Sequence, residues 1–239
     1  FNTSSLLSAK NGKAATITGA YDGQDEGGTL LLSGGTAGRF ISGDTNFENL
    51  TFYGSAHTTG TGSVDLYVQG HKVKFGSNII MDRYIKNGTL PDFDIYGGWR
   101  KPNEQYSDAA NTPTIEINSG QFNKIIMGNG MGTNAVSNLQ NTTSNNIMGS
   151  SSASFGGTVT VDYTGKMKQE DIGLIAGGNE IGTIYSNAII NIKNGNVGKI
   201  IGGNYADSSN RPTSWAYPLN TFIGTSTINI TGGQIENII

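Results

Sequence analysis

The sequence predicts an all-β chain, a parallel β-helix built as one solenoid domain over residues 1–239 with loop excursions. Three observations predict it. The first is composition: 36 of 239 residues are glycine, about twice the usual share, and Asn and Thr are abundant beside evenly spread Ile, Val, Leu and Phe. Gly, Asn and Thr are weak helix formers, whereas Ile, Val, Thr and Tyr suit a pleated, half-buried strand. The second is an internal repeat in the C-terminal half, its last two copies 38 residues apart. The third is that glycines recur at fixed points of that repeat, where a chain that turns repeatedly needs corners.

Taken in chain order, the N-terminal half supplies short strands, most of them ending in glycine. They are 15–19, 29–35, 47–54, 64–70, 72–76 and 78–81, followed by 93–98 closing on Gly97-Gly98. The clearer copies follow. Ile115, Ile117, Gly120, Phe122 and Ile125 align with Ile190, Ile192, Gly195, Val197 and Ile200, and with Ile228, Ile230, Gly233, Ile235 and Ile238. Ile-x-Ile is period-2 alternation, with two side chains inward and one outward. The glycine three residues on supplies a bend where a side chain would clash or φ must be positive, and Φ-x-x-Ile begins a second short strand. A fourth copy places Val159 and Val161 on the two inward positions, with an insertion before Leu174–Gly178. One unit cannot bury its apolar face alone, but stacked units can. Longer excursions follow Gly98, Gly130 and Gly203, the 131–157 stretch being the longest. The chain starts at Phe1 and stops inside a copy of the pattern, so it is read as a section of a longer repeat protein.

These segments also carry a resemblance. TNFENLTFYG, FGSNIIM, DIYGG, TIEINSGQF and TINITGGQIENII resemble the repeats of large β-helical cell-surface proteins of gut Firmicutes, which are similar to the right-handed pectate-lyase-like superfamily. The resemblance implies a right-handed β-helix and an adhesin-like protein, secreted or attached to the cell wall. It supplies no catalytic residue.

Composition narrows the function classes. With no cysteine, neither a disulfide scaffold nor a thiolate metal site can form. The net charge is −3 and the densest basic stretch is Arg100-Lys101, so nucleic acid is not an expected partner. No apolar run reaches the ~18 residues of a membrane span, and any membrane attachment would come through an anchor outside this segment. A polysaccharide lyase or glycoside hydrolase on the same fold is the enzyme alternative. It needs carboxylates clustered on adjacent strands with a Lys or Arg beside them. The outward positions Glu116, Thr160, Asn191 and Asn229, then Asn118, Asp162, Lys193 and Thr231, form no such cluster. Asp92 and Asp94, near Arg100, are a candidate carboxylate pair, read otherwise as a solvated turn. His57 and His71 sit in turns, and no G-x-S-x-G elbow accompanies them. Asp22, Asp25 and Glu26 could hold Ca²⁺ in a Gly-rich loop, although their spacing is not that of an EF-hand; otherwise no cofactor or metal is expected.

The aromatics mark the candidate binding residues. Trp99, Arg100 and Tyr106 follow Gly97-Gly98, while Tyr205, Arg211, Trp215 and Tyr217 follow Gly202-Gly203. Aromatic rings beside hydrogen-bonding groups suit sugar faces or protein hot spots, or they cover the fold against its core. The expected function is a non-catalytic extracellular module that binds a host glycan or surface protein through its loops and lateral face. A structural stalk without a ligand of its own is a third reading.

Overall fold

The computed structural model describes residues 6–7, 14–19, 28–32, 39–41, 43–54, 64–82, 93–98, 113–128, 158–163, 172–180, 184–185, 187–205 and 222–239. Among these residues there is no helix. The strands in chain order are β1 (Leu6–Leu7), β2 (Ala15–Thr18), β3 (Gly28–Leu32), β4 (Arg39–Ile41), β5 (Thr45–Glu48), β6 (Leu50–Gly54) and β7 (Val64–Tyr67). Then follow β8 (Lys72–Phe75), β9 (Ile80–Asp82), β10 (Phe93–Tyr96), β11 (Thr114–Ile117), β12 (Phe122–Ile126), β13 (Thr158–Tyr163) and β14 (Ile172–Ala176). The last are β15 (Ile184–Tyr185), β16 (Asn187–Ile192), β17 (Asn196–Ile201), β18 (Phe222–Ile223), β19 (Ser226–Ile230) and β20 (Gln234–Ile238).

Every pairing between these strands is parallel. An eight-stranded sheet has the order β1-β4-β7-β10-β12-β14-β17-β20, and a seven-stranded sheet has the order β19-β16-β13-β11-β8-β5-β2. Two smaller sheets, β3-β6-β9 and β15-β18, complete the set. The two large sheets turn their apolar faces to one core. Val73, Ile115 and Ile190 meet Leu66, Ile95, Ile125, Ile175 and Ile200 there, all fully buried. Near its N-terminal side this core is aromatic: Phe75 lies 5.3 Å from Phe47, 5.8 Å from Phe52 and 4.9 Å from Phe122, centroid to centroid.

This arrangement corrects the expected right-handed parallel β-helix. The strands form separate open sheets, and no sheet closes on itself or winds as a solenoid. Among the described residues the two smaller sheets, β3-β6-β9 and β15-β18, share no pairing with the two large ones. Alternation and corner glycines dictate which strands pair and in which direction, both local properties. Closure depends also on the long segments beyond the Gly-Gly corners, and their sequences do not repeat.

Two local details also differ from expectation. The stretch 47–54 is not one strand: Asn49 takes φ 51° and separates β5 from β6. Asn78 holds φ 54° beside it and donates from Nδ2 to Asn49 Oδ1 at 2.9 Å, so an Asn corner does what a glycine does elsewhere. The fourth copy is shifted by two residues. Ile115 pairs with Val161, not Val159, and Val161 pairs with Ile190. A shift of two keeps every side chain on its face, but it puts Asp162 rather than Thr160 beside Glu116. The repeat glycines behave as their position requires: Gly120, Gly195 and Gly233 have φ of 107°, 94° and 92°.

Candidate functional site

The outer faces of the two large sheets differ in character. On the seven-stranded sheet, pairing aligns Thr16, Asn46, Lys74, Glu116, Asp162, Asn191 and Asn229 in one row across the strands. The described side chains of this row are exposed or half-buried. They bond along the row and beside it. Lys74 Nζ lies 2.9 Å from Glu116 Oε1, Asn229 Nδ2 donates to Asn191 Oδ1 at 2.8 Å, and Asn46 Nδ2 donates to Glu48 Oε1 at 2.9 Å. Burial alone would raise the Glu116 carboxyl. The hydrogen bond and charge of Lys74 outweigh it, with smaller help from Lys72 and Asn118, and hold Glu116 below the usual carboxylate range.

Over β7, β10, β12 and β14 the outer face of the eight-stranded sheet is covered. Strand β10 is buried on both sides, and Tyr67 stacks on Tyr96 with ring centroids 4.9 Å apart and planes 15° from parallel. Tyr67, Tyr96, Ile126, Leu174 and Ala176 form a second apolar cluster, with Ile201 and Tyr205 packed against it. The glycine corners position what lies on top. Gly98 N–H donates to Gly128 O at 2.9 Å, Gly128 N–H to Gly178 O at 2.8 Å, and Gly178 N–H to Gly203 O at 2.9 Å. A Cβ on Gly128 would run into Asn179 Oδ1 and the Gly178 carbonyl. This ladder carries the chain from β14 into Asn179 and Glu180, over the sheet.

A polar cluster is built under that turn. Asp94 on β10 is the direct cross-strand partner of Lys124 on β12. Lys124 Nζ is 3.4 Å from Asp94 Oδ2 and 2.7 Å from Glu180 Oε1. Asn123 Nδ2 donates to the other Asp94 oxygen, Oδ1, at 2.8 Å. The Asp94 and Glu180 side chains are each only 6% exposed and that of Lys124 18%. The ammonium also faces the rings of Tyr96 at 5.6 Å and Tyr205 at 5.9 Å. Burial disfavours the charge on Lys124, but the Asp94 and Glu180 carboxylates outweigh it and hold the ammonium above the usual lysine range. Burial first, then Glu180, Asp94 and Asp65, push the Tyr96 hydroxyl up, so it stays neutral.

Of the residues expected to bind, Tyr205 is described. Its ring is a wall of this cluster, and its N–H donates to Asn179 O at 2.9 Å. Trp99, Arg100, Tyr106, Arg211, Trp215 and Tyr217 lie outside the described residues, as do Asp22, Asp25, Glu26, His57 and Asp92. His71 is described, with Nδ1 4.0 Å from Asp44 Oδ1. Asp94 belongs with Lys124 and Glu180, not with a solvated turn. Among the described residues, no group of three or more His, Asp or Glu is arranged to hold a metal ion. The Asp94–Lys124 pair was reachable from sequence by aligning DIYGG with KIIMG on the closing glycine. Glu180 was not, because it lies beyond the corner.

Comparison with protein-family models, curated proteins and solved structures found no match to this chain.

Proposed function

We propose that the chain is a non-catalytic, extracellular, adhesin-like surface module that binds a host glycan or surface protein through the outer face of its seven-stranded sheet and the segments after the Gly-Gly corners. The observation that carries this reading is the row Asn46, Lys74, Glu116, Asp162, Asn191 and Asn229. It offers amide, ammonium and carboxylate groups at strand spacing, ~4.8 Å apart. Such groups donate and accept in a fixed plane, as the hydroxyls of a glycan require. A lyase or hydrolase would instead need an open carboxylate site with a base beside it. The described cluster of that composition, around Lys124, is covered and internally paired.

The test is a glycan array and mucin-binding assay with three proteins: wild type, a Lys74→Ala/Asn191→Ala/Asn229→Ala variant, and a Trp99→Ala/Trp215→Ala variant. Wild type is expected to bind without cleaving. The row variant should bind at least about tenfold more weakly, the equivalent of ~1.4 kcal/mol. A wild type that binds nothing would leave the stalk reading in its place, and glycan cleavage would replace it with an enzyme. Loss in the tryptophan variant alone would move the site to the loops.

A further inference from the structure

We propose that Lys124 and Asp94 condense into an intramolecular amide, a covalent cross-link between β12 and β10. Three features of the cluster support it. The nucleophile and the electrophile are direct cross-strand partners, with Nζ 3.4 Å from Asp94 Oδ2. The Asp94 carbonyl is polarised on its far side, where Asn123 Nδ2 donates to Oδ1 at 2.8 Å. A third group able to carry protons stands at the reacting nitrogen, Glu180 Oε1 at 2.7 Å. The rings of Tyr96 and Tyr205 flank the ammonium, and the two carboxylate side chains are each only 6% exposed, which limits water.

The step balances without a cofactor. The resting pair is ammonium and carboxylate. Glu180 takes one proton from Nζ and passes it to Asp94 Oδ2, which produces a neutral amine and a neutral acid. The Nζ lone pair attacks Asp94 Cγ, and the N–C bond forms while negative charge collects on Oδ1, facing the Asn123 amide. Glu180 takes a second proton from nitrogen and delivers it to Oδ2. The Cγ–Oδ2 bond breaks and water leaves. The product is an amide N–H, a Cγ=Oδ1 carbonyl, one water and an unchanged Glu180 carboxylate. One feature favours the reaction: intramolecular positioning raises the effective concentration of the amine by several orders of magnitude. The bond would close a ring through residues 95–123, tying both ends of the segment that contains Trp99 and Tyr106.

The test is the intact mass of the folded, purified protein, with peptide mapping. The expected mass is one water below that of the sequence, with a branched peptide joining Lys124 to Asp94. Lys124→Arg, Asp94→Ala and Glu180→Gln should each have full mass. Wild type decides the matter even if a variant does not fold. A wild type that unfolds cooperatively yet has full mass after long incubation overturns the proposal. A branch at Glu180 would also overturn it, as would a water loss that survives in Lys124→Arg, the mark of a succinimide elsewhere.

Discussion

At Gly120 the φ of 107° and the room available both demand glycine. A Cβ there would meet the Phe122 ring at 3.0 Å and Ile79 Cγ2 at 3.2 Å. Gly120→Ala should cost about 1–2 kcal/mol from the left-handed backbone alone, with crowding in addition, read as a lower urea midpoint. The sequence made this position legible, because the glycine recurs three residues after Ile-x-Ile in three copies. Glu116 carries a pH dependence. Its folded pKa is lowered, so its contribution is present above the unfolded value of 4.5 and is lost as pH falls through the folded value. The pair with Lys74 is partly exposed and its contribution small. Glu116→Gln should therefore be less stable than wild type at neutral pH, and the gap should close on acidification below the carboxylate range. A gap that widens in acid would contradict the assignment. Glu180 was not legible, since no local pattern announces a side chain that reaches back from beyond a corner onto a strand of another repeat.

At the scale of elements, pattern and structure agree where side chains alternate. Strands β11, β13, β16 and β19 pair so that Ile115, Val161, Ile190 and Ile228 stand in one register column. The two-residue shift of β13 was invisible because Val159 and Val161 fit an inward position equally well. The Asn49 corner was hidden too, because Asn adopts the left-handed region less often than Gly but can do so. The aromatic core makes the sharpest claim here. Phe75 is fully buried and touches the rings of Phe47, Phe52 and Phe122. Phe75→Ala should cost about 3–5 kcal/mol, whereas Lys72→Ala, on the outer side of the same strand, should stay within about 0.5 kcal/mol. Equal losses from the two changes, by chemical denaturation, would show that β8 does not face the core through Phe75.

For the whole molecule, the strand repeat dictates parallel sheets without dictating closure. That is why open sheets stand where a wound β-helix was expected. The same repeat explains the low charge content, 14% of residues: many positions are core aliphatics or corners. Among the described residues, charged side chains stand on the outer faces of both large sheets. Lys72 and Lys74 lie on an outer face open to solvent, while Lys124 lies under the Asn179–Glu180 turn between two carboxylates. This division leaves the outer face of the seven-stranded sheet open around Lys72 and Lys74 and covers the eight-stranded sheet around Lys124. The most direct test is brief acetylation of the native protein with acetic anhydride, followed by mass mapping of each lysine. Lys72 and Lys74 are expected to react quickly, with Lys124 protected until the protein is unfolded or, once cross-linked, unreactive throughout. Acetylation of Lys124 in the native protein at a rate comparable to Lys72 would contradict the account.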